Sequence, residues 1–181
     1  MEKVDLPEIS KGEWKITKFT VDSIDFHALM HGRPIPLGET FTRLSRNGTL
    51  VMSDTPAERS DLHYAVRMAK GNCLINGLGL GLLLKNILLK PEVTDVTVVE
   101  ISQNLIDLIS PFYKDDRVTY ICADALEYTP PKGKRFNMVW HDIWDTICGD
   151  NLPEMAKLHR RYGKHTDWQG SWCHEECKRN R

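Results

Sequence analysis

Cys73-Leu74-Ile75-Asn76-Gly77-Leu78-Gly79-Leu80-Gly81 runs from an apolar stretch straight into three alternating glycines, and a second apolar stretch, Leu82 to Leu89, comes directly after. The first run predicts a buried strand and the second a helix. Glycines between them let the chain turn sharply and bring backbone N–H groups against a ligand at the helix start. The next strand-like run, Val96-Thr97-Val98-Val99-Glu100, closes on an acid. A carboxylate about twenty residues past such a loop can accept both hydroxyls of a ribose. Gly77, Gly79, Gly81 and Glu100 therefore point to an adenosine-containing cofactor.

Outward from that unit, strands and helices alternate. Strand-like runs cover 72–76, 96–100, 118–122 and 136–141, with helix-like segments at 81–90 and 103–113. Parallel strands need crossover connections, so this alternation predicts an α/β fold with a Rossmann-like, doubly wound, mostly parallel sheet. Pro91 stops the first helix, and Pro130-Pro131 with Gly133 turns the chain before the fourth strand. A βαβ unit takes roughly thirty residues. The segment beyond Asp142 has room for one helix near 151–162 and one strand near 167–172, so the sheet is C-terminally shortened.

Before the sheet, Trp14 to Val21 alternates, and Asn47-Gly48 separates 41–44 from 49–52 as a two-residue hairpin turn. Residues 1–54 are expected to be a small β-hairpin extension, 55–173 the cofactor-binding domain, and 174–181 a basic tail. Thr55-Pro56-Ala57-Glu58 predicts a helix start, with Thr55 as N-cap, Pro56 at the first helical position and Glu58 completing a capping box. Leu62, Ala65, Val66 and Ala69 then share one helical face, and Gly71 is the stop.

Composition narrows the partners. With 181 residues and 41% hydrophobic content the chain can bury one good core. Lys plus Arg number 24 against 25 for Asp plus Glu, a net charge of −1 that gives no general pull toward nucleic acid or anionic membrane. The basic excess near the C-terminus, including Arg160, Arg161, Lys178 and Arg179, reads as a solvated end. Met1 to Asp5 carries no apolar leader and no run reaches eighteen apolar residues, which predicts a cytoplasmic protein with no membrane partner. Five cysteines imply no disulfide framework. Cys173, His174 and Cys177 lack a second ligand pair, so no metal is expected.

Leu82 stands where a dinucleotide fingerprint puts its last glycine, which moves the cofactor away from NAD. An NAD-dependent oxidoreductase rests on the glycine count alone. Asp124, in Cys122-Ala123-Asp124-Ala125, follows the third strand, where it could accept from the exocyclic amine of adenine or serve as the N-cap of a short helix after it. The fourth strand ends in Trp140-His141-Asp142-Ile143-Trp144-Asp145, the densest polar and aromatic cluster in the chain. Asp142 and Asp145 are the catalytic candidates, since a carboxylate there can bind an amine or take a proton, while a tryptophan face can hold a cation. His141 alternates onto the other face of a regular strand.

Residues 48 to about 155 resemble the class I S-adenosylmethionine-dependent methyltransferase fold, and most of all its spermidine synthase branch. Gly77 to Gly81 match the cofactor loop, Val98-Val99-Glu100-Ile101 the ribose-binding strand end, Asp124-Ala125 the adenine-side pair, and Asp142-x-x-Asp145 the catalytic D-x-x-D. A β-rich extension with Asp54 in its exit loop is similar to the same branch. The chain as a whole also resembles short methyltransferase-like proteins of tailed bacteriophages. Leu80 replaces the branch's acidic loop residue, Val51 its glutamine and Thr146 its proline, and Asp142-Ile143-Trp144 stands where many amine methyltransferases carry Asp/Asn-Pro-Pro-Tyr.

The resemblance implies S-adenosylmethionine as cofactor, held by Gly77, Gly79, Gly81, Glu100, Ile101, Asp124 and Ala125. It ranks methyl transfer to a small or peptide-borne nucleophile, oriented by Asp142, above aminopropyl transfer to a diamine bound by Asp142 and Asp145. A third alternative is a non-catalytic nucleotide-binding or assembly module, with a second copy closing the open sheet edge.

Overall fold

A computed structural model describes residues 1–24, 29, 30 and 32–180. Four strands, β1 (Ile9–Lys11), β2 (Trp14–Thr20), β3 (Thr40–Arg46) and β4 (Thr49–Ser53), join in that order into an antiparallel sheet. Trp14, Ile16, Phe41 and Leu44 are its buried apolar residues, and Trp14 and Ile16 alternate with exposed neighbours along β2 as a half-buried strand requires. Asn47 and Gly48 both take positive φ, 50° and 82°, and close the β3–β4 hairpin. The extension expected as a hairpin is thus a larger sheet. β1 escapes sequence patterning because it has three residues, all exposed.

The chain then runs through α1 (Pro56–Met68), β5 (Gly71–Asn76), α2 (Leu82–Leu88), β6 (Val93–Glu100), α3 (Gln103–Ile109), β7 (Val118–Cys122) and β8 (Phe136–His141). It ends with α4 (Leu152–Tyr162), β9 (Thr166–Ser171) and α5 (His174–Arg179). The strands order as β7-β6-β5-β8-β9 with every neighbouring pair parallel. Winding reverses between β5 and β8, the point at which doubly wound sheets open a ligand crevice. Cys73, Ile75, Val98 and Met138 pack on one face with Leu62 of α1, Ile87 of α2 and Leu105 of α3. Leu74, Val99 and Val139 pack on the other with Leu158 and Tyr162 of α4. Cover on both faces explains why these strands read as continuous apolar runs.

Three local expectations change. Thr55 is the N-cap of α1 and Pro56 opens the helix, but Thr55 makes no side-chain capping bond. Its hydroxyl instead pairs with that of Ser53 at 3.0 Å, and Glu58 turns toward a cavity instead of closing a capping box. The helix expected over 103–113 ends at Ile109 and tightens into a single 3-10 turn, Ser110–Phe112, around Pro111. Residues 174–179, expected as part of a solvated tail, form α5, because its apolar side buries Cys177 against Asn151. Among the described residues no helix is long and apolar enough to cross a membrane.

Candidate active site

The glycine loop is held from both neighbouring strands. Gly77 N–H donates to Val99 O of β6 at 2.8 Å, and Asp142 N–H, just past β8, donates to Asn76 O at 2.8 Å. Gly77 has φ +96°, and a Cβ there would lie 1.9 Å from the Asp142 carbonyl oxygen, so backbone crowding requires glycine. A Cβ on Gly79, at φ +52°, would meet Met52 Sδ at 2.2 Å. Gly81 is the left-handed N-cap of α2; it packs against the Tyr113 ring and lies outside the cavity wall.

Glu100 is buried at the end of β6. Its Oε2 accepts from Leu78 N–H at 3.0 Å and its Oε1 from Ser102 N–H at 2.8 Å. Burial raises its pKa above the usual carboxylate range, opposed by those backbone donors. A carboxylate has about four acceptor positions, so two remain for a ligand. Ile101 beside it stands 65% exposed at the rim, and Ala125 is buried across the opening. Asp124 Oδ1 accepts from Leu126 N–H at 2.7 Å, an Asx turn after β7.

A cavity of about 290 Å³ joins these groups to the end of β8. Its far wall carries Asp142, Glu58, Trp140, Trp144, Trp172 and Leu62. Burial pushes Asp142 up to about 7, helped by the charges of Asp61 and Asp145 and opposed by the nearby Trp140 indole. Among the described residues that indole Nε1 makes no hydrogen bond of good geometry. Burial also pushes Glu58 up to about 8, with Asp142 and Asp61 adding repulsion and Arg33 opposing it. Arg33 is committed to Asp61 by two hydrogen bonds, 3.0 and 2.7 Å.

Asp145 reaches the same cavity but is exposed and ion-paired with Arg46 of β3, whose guanidinium lies 5.4 Å from the Trp14 ring centroid. Trp144 Nε1 donates to Glu154 Oε2 at 2.7 Å. His141 sits behind the sheet, fully buried. The Asn76 amide donates to its Nδ1 at 2.8 Å, which leaves Nε2 as the protonated nitrogen facing Gln169 Oε1 at 3.3 Å. Glu58, Arg46 and Trp172 are not among the sequence candidates. Glu58 carries a signal, an acid three residues after a helix N-cap, that a local capping role accounts for equally well.

No family model matches the chain. The polyamine aminopropyltransferase of Buchnera aphidicola subsp. Schizaphis graminum (strain Sg) is 32% identical over 90 residues, covering 45% of this chain and 32% of that protein. Its counterpart from Buchnera aphidicola subsp. Acyrthosiphon pisum (strain APS) is 32% identical over 88 residues, with 44% and 31% covered. The chain matches about a third of the length of these curated relatives. Among solved structures it is similar to the N-methyltransferase NodS from Bradyrhizobium japonicum WM9 in complex with S-adenosyl-l-homocysteine, with 15% identity, 61% and 57% of the two chains covered, and a TM-score of 0.48.

Proposed function

We propose that the chain binds S-adenosylmethionine and transfers its methyl group to an amine, small or peptide-borne. One observation carries this: a single cavity runs from the glycine loop and Glu100 to Asp142, so a nucleoside-held donor and an acceptor-binding carboxylate share one chamber. The residues fit the cofactor. Gly77 and Gly79 leave the loop backbone bare, Glu100 has acceptor positions to spare for ribose hydroxyls, and Ile101 and Ala125 offer apolar surface to an adenine ring.

The bound cofactor would supply an electrophilic methyl group on a sulfonium. Asp142 would hold the acceptor in line with it, and such positioning supplies most of the catalysis in a transfer of this kind. Trp140, Trp144 and Trp172 would exclude water and present π faces to a cation. The wall beside Asp142 favours an amine over an anionic acceptor: Glu58, Asp142, Asp145 and Glu154 are acids, and among the described wall residues the one cation, Arg46, is paired with Asp145.

Aminopropyl transfer is the second reading, favoured by the aminopropyltransferase relatives and by the Asp142-x-x-Asp145 spacing. The Arg46 ion pair weighs against it, since it occupies the second carboxylate that a diamine would need. Incubation with 1,4-diaminobutane and either S-adenosylmethionine or its decarboxylated form separates the two by product mass; spermidine formation reverses the ranking. S-adenosylhomocysteine at one hundred times its Kd should stabilise the protein by about 2.7 kcal/mol. Glu100→Ala should abolish that gain while Gly133→Ala, at an open turn, keeps it. A wild-type protein that answers to no adenosyl compound would remove the cofactor from the proposal.

A further inference from the structure

We propose that Glu58, on α1, takes the proton from a cationic amine acceptor before methyl transfer, an inference that rests on the cofactor and acceptor class proposed above. The other wall acids are already engaged. Glu100 holds the glycine loop, Asp124 closes its own turn, Asp145 pairs with Arg46, and Glu154 accepts from Trp144. His141 is shut behind the sheet on Asn76 and Gln169. Among the described wall acids Glu58 and Asp142 make no salt bridge and close no turn of their own; the Ser53 backbone steadies Glu58 and the Trp140 indole steadies Asp142.

These two carboxylates approach from different elements, α1 and the end of β8, onto one aromatic and aliphatic wall, and the charge of Asp142 bears on Glu58. The other charged groups facing Glu58 are Asp61 on its own helix and Arg33 from the β2–β3 connection, which bind one another. Burial without a dedicated counter-ion is costly, so the site favours an arriving cation. The two acids divide the work. Asp142 sits on the strand end that packs against Gly77, so it anchors the cation beside the donor loop, and Glu58 reaches the same chamber from α1 to take the proton. Burial raises both carboxyls toward the neutral range, where a general base works best.

The step balances without an added reagent. The ammonium form of the acceptor first displaces whatever proton Glu58 carries to solvent. Its N–H proton then passes to the Glu58 carboxylate, leaving a neutral amine and a carboxylic acid. The amine lone pair forms the new N–C bond as the C–S bond breaks, and the bonding electrons stay on sulfur. The product leaves as a methylated ammonium, and Glu58 returns its proton to solvent.

Calorimetric titration of butylamine into the protein saturated with S-adenosylhomocysteine, in two buffers that lack a primary amine and differ in ionisation enthalpy, such as phosphate and HEPES at pH 7, tests this. At pH 7 the heats should differ between buffers because protons leave as the amine binds, the larger share from Glu58 and the rest from Asp142, and at pH 9 the difference should nearly vanish. Butanol, with the same shape and no charge, should bind at least about tenfold more weakly. Glu58→Gln should keep S-adenosylhomocysteine affinity and lose the larger share of the proton release, leaving that of Asp142, and Glu58→Asp should restore part of it. Methylation of butylamine by Glu58→Gln should fall by about 100-fold or more at pH 7 and climb with pH as the amine deprotonates in solution, where wild type levels off. Unchanged proton release in Glu58→Gln, or butanol binding equal to butylamine, overturns the role of Glu58 while leaving the cofactor in place. Failure of the wild-type protein to bind S-adenosylhomocysteine overturns both.

Discussion

Gly77 and Gly133 share a left-handed backbone, φ +96° and +83°, yet their surroundings differ completely. A Cβ on Gly133 meets nothing within 4 Å, so Gly133→Ala should cost about 1–2 kcal/mol, the strain of the conformation alone. On Gly77 the same atom lands against the Asp142 carbonyl, and neither strand end can retreat without breaking parallel pairing. Gly77→Ala should therefore cost more than about 3 kcal/mol in urea unfolding. Equal costs at the two sites would mean the loop and β8 are not in contact as described. The need for glycine at 77 is legible in the sequence, because a strand running into alternating glycines has few other uses. Its partner is not legible, since Asp142 arrives three strands later. Glu58 is obscured for a related reason: a local capping pattern explains it, and only the approach of α1 to the end of β8 puts it on a cavity wall.

Elements are easier to read from sequence than their ends. β7 and β8 begin and end where the apolar runs do, whereas α2, expected over 81–90, spans Leu82–Leu88. What closes α2 is a side chain from far along the chain. Arg117, just before β7, donates to Leu88 O at 2.8 Å and to Val93 O at 3.0 Å, while Asp115 steadies its guanidinium at 2.7 Å. One residue thus ties the end of α2 to the start of β6 and explains why Pro91 is only part of the stop. Hydrogen bonds from a charged donor contribute about 1.5–3 kcal/mol each, so Arg117→Ala should lose on the order of 2–3 kcal/mol in urea unfolding. Arg117→Lys should recover only a fraction, because one ammonium cannot span both carbonyls. A loss under about 0.5 kcal/mol would show that α2 is held by packing alone.

Across the whole molecule, buried titratable groups pull stability in opposite directions with pH. Burial keeps His141 neutral, its pKa down to about 3 from an ordinary 6.5, and lowers His159 as well. For such groups the unfolded chain binds more protons below pH 6.5, so stability present above 6.5 is lost as pH falls toward 3. Glu58 and Asp142 behave oppositely: raised to about 8 and about 7 from 4.5 and 3.8, they stabilise fully at low pH and lose that contribution as pH rises. Between about 4.5 and 6.5 the histidines offset part of the contribution of the raised acids, so Tm should change less steeply there. From 6.5 to 8 only the acids still titrate, so Tm should fall, by about 2–4 °C for each kcal/mol lost. Below about 4.5 it should fall again as His141 is forced to charge. The two sides separate by substitution: Glu58→Gln with Asp142→Asn should remove the decline between pH 6.5 and 8 and leave the acid side untouched. A decline in the double variant equal to wild type would mean that these carboxylates are ionised in the folded protein at neutral pH, and that the cavity holds two negative charges without a shared proton.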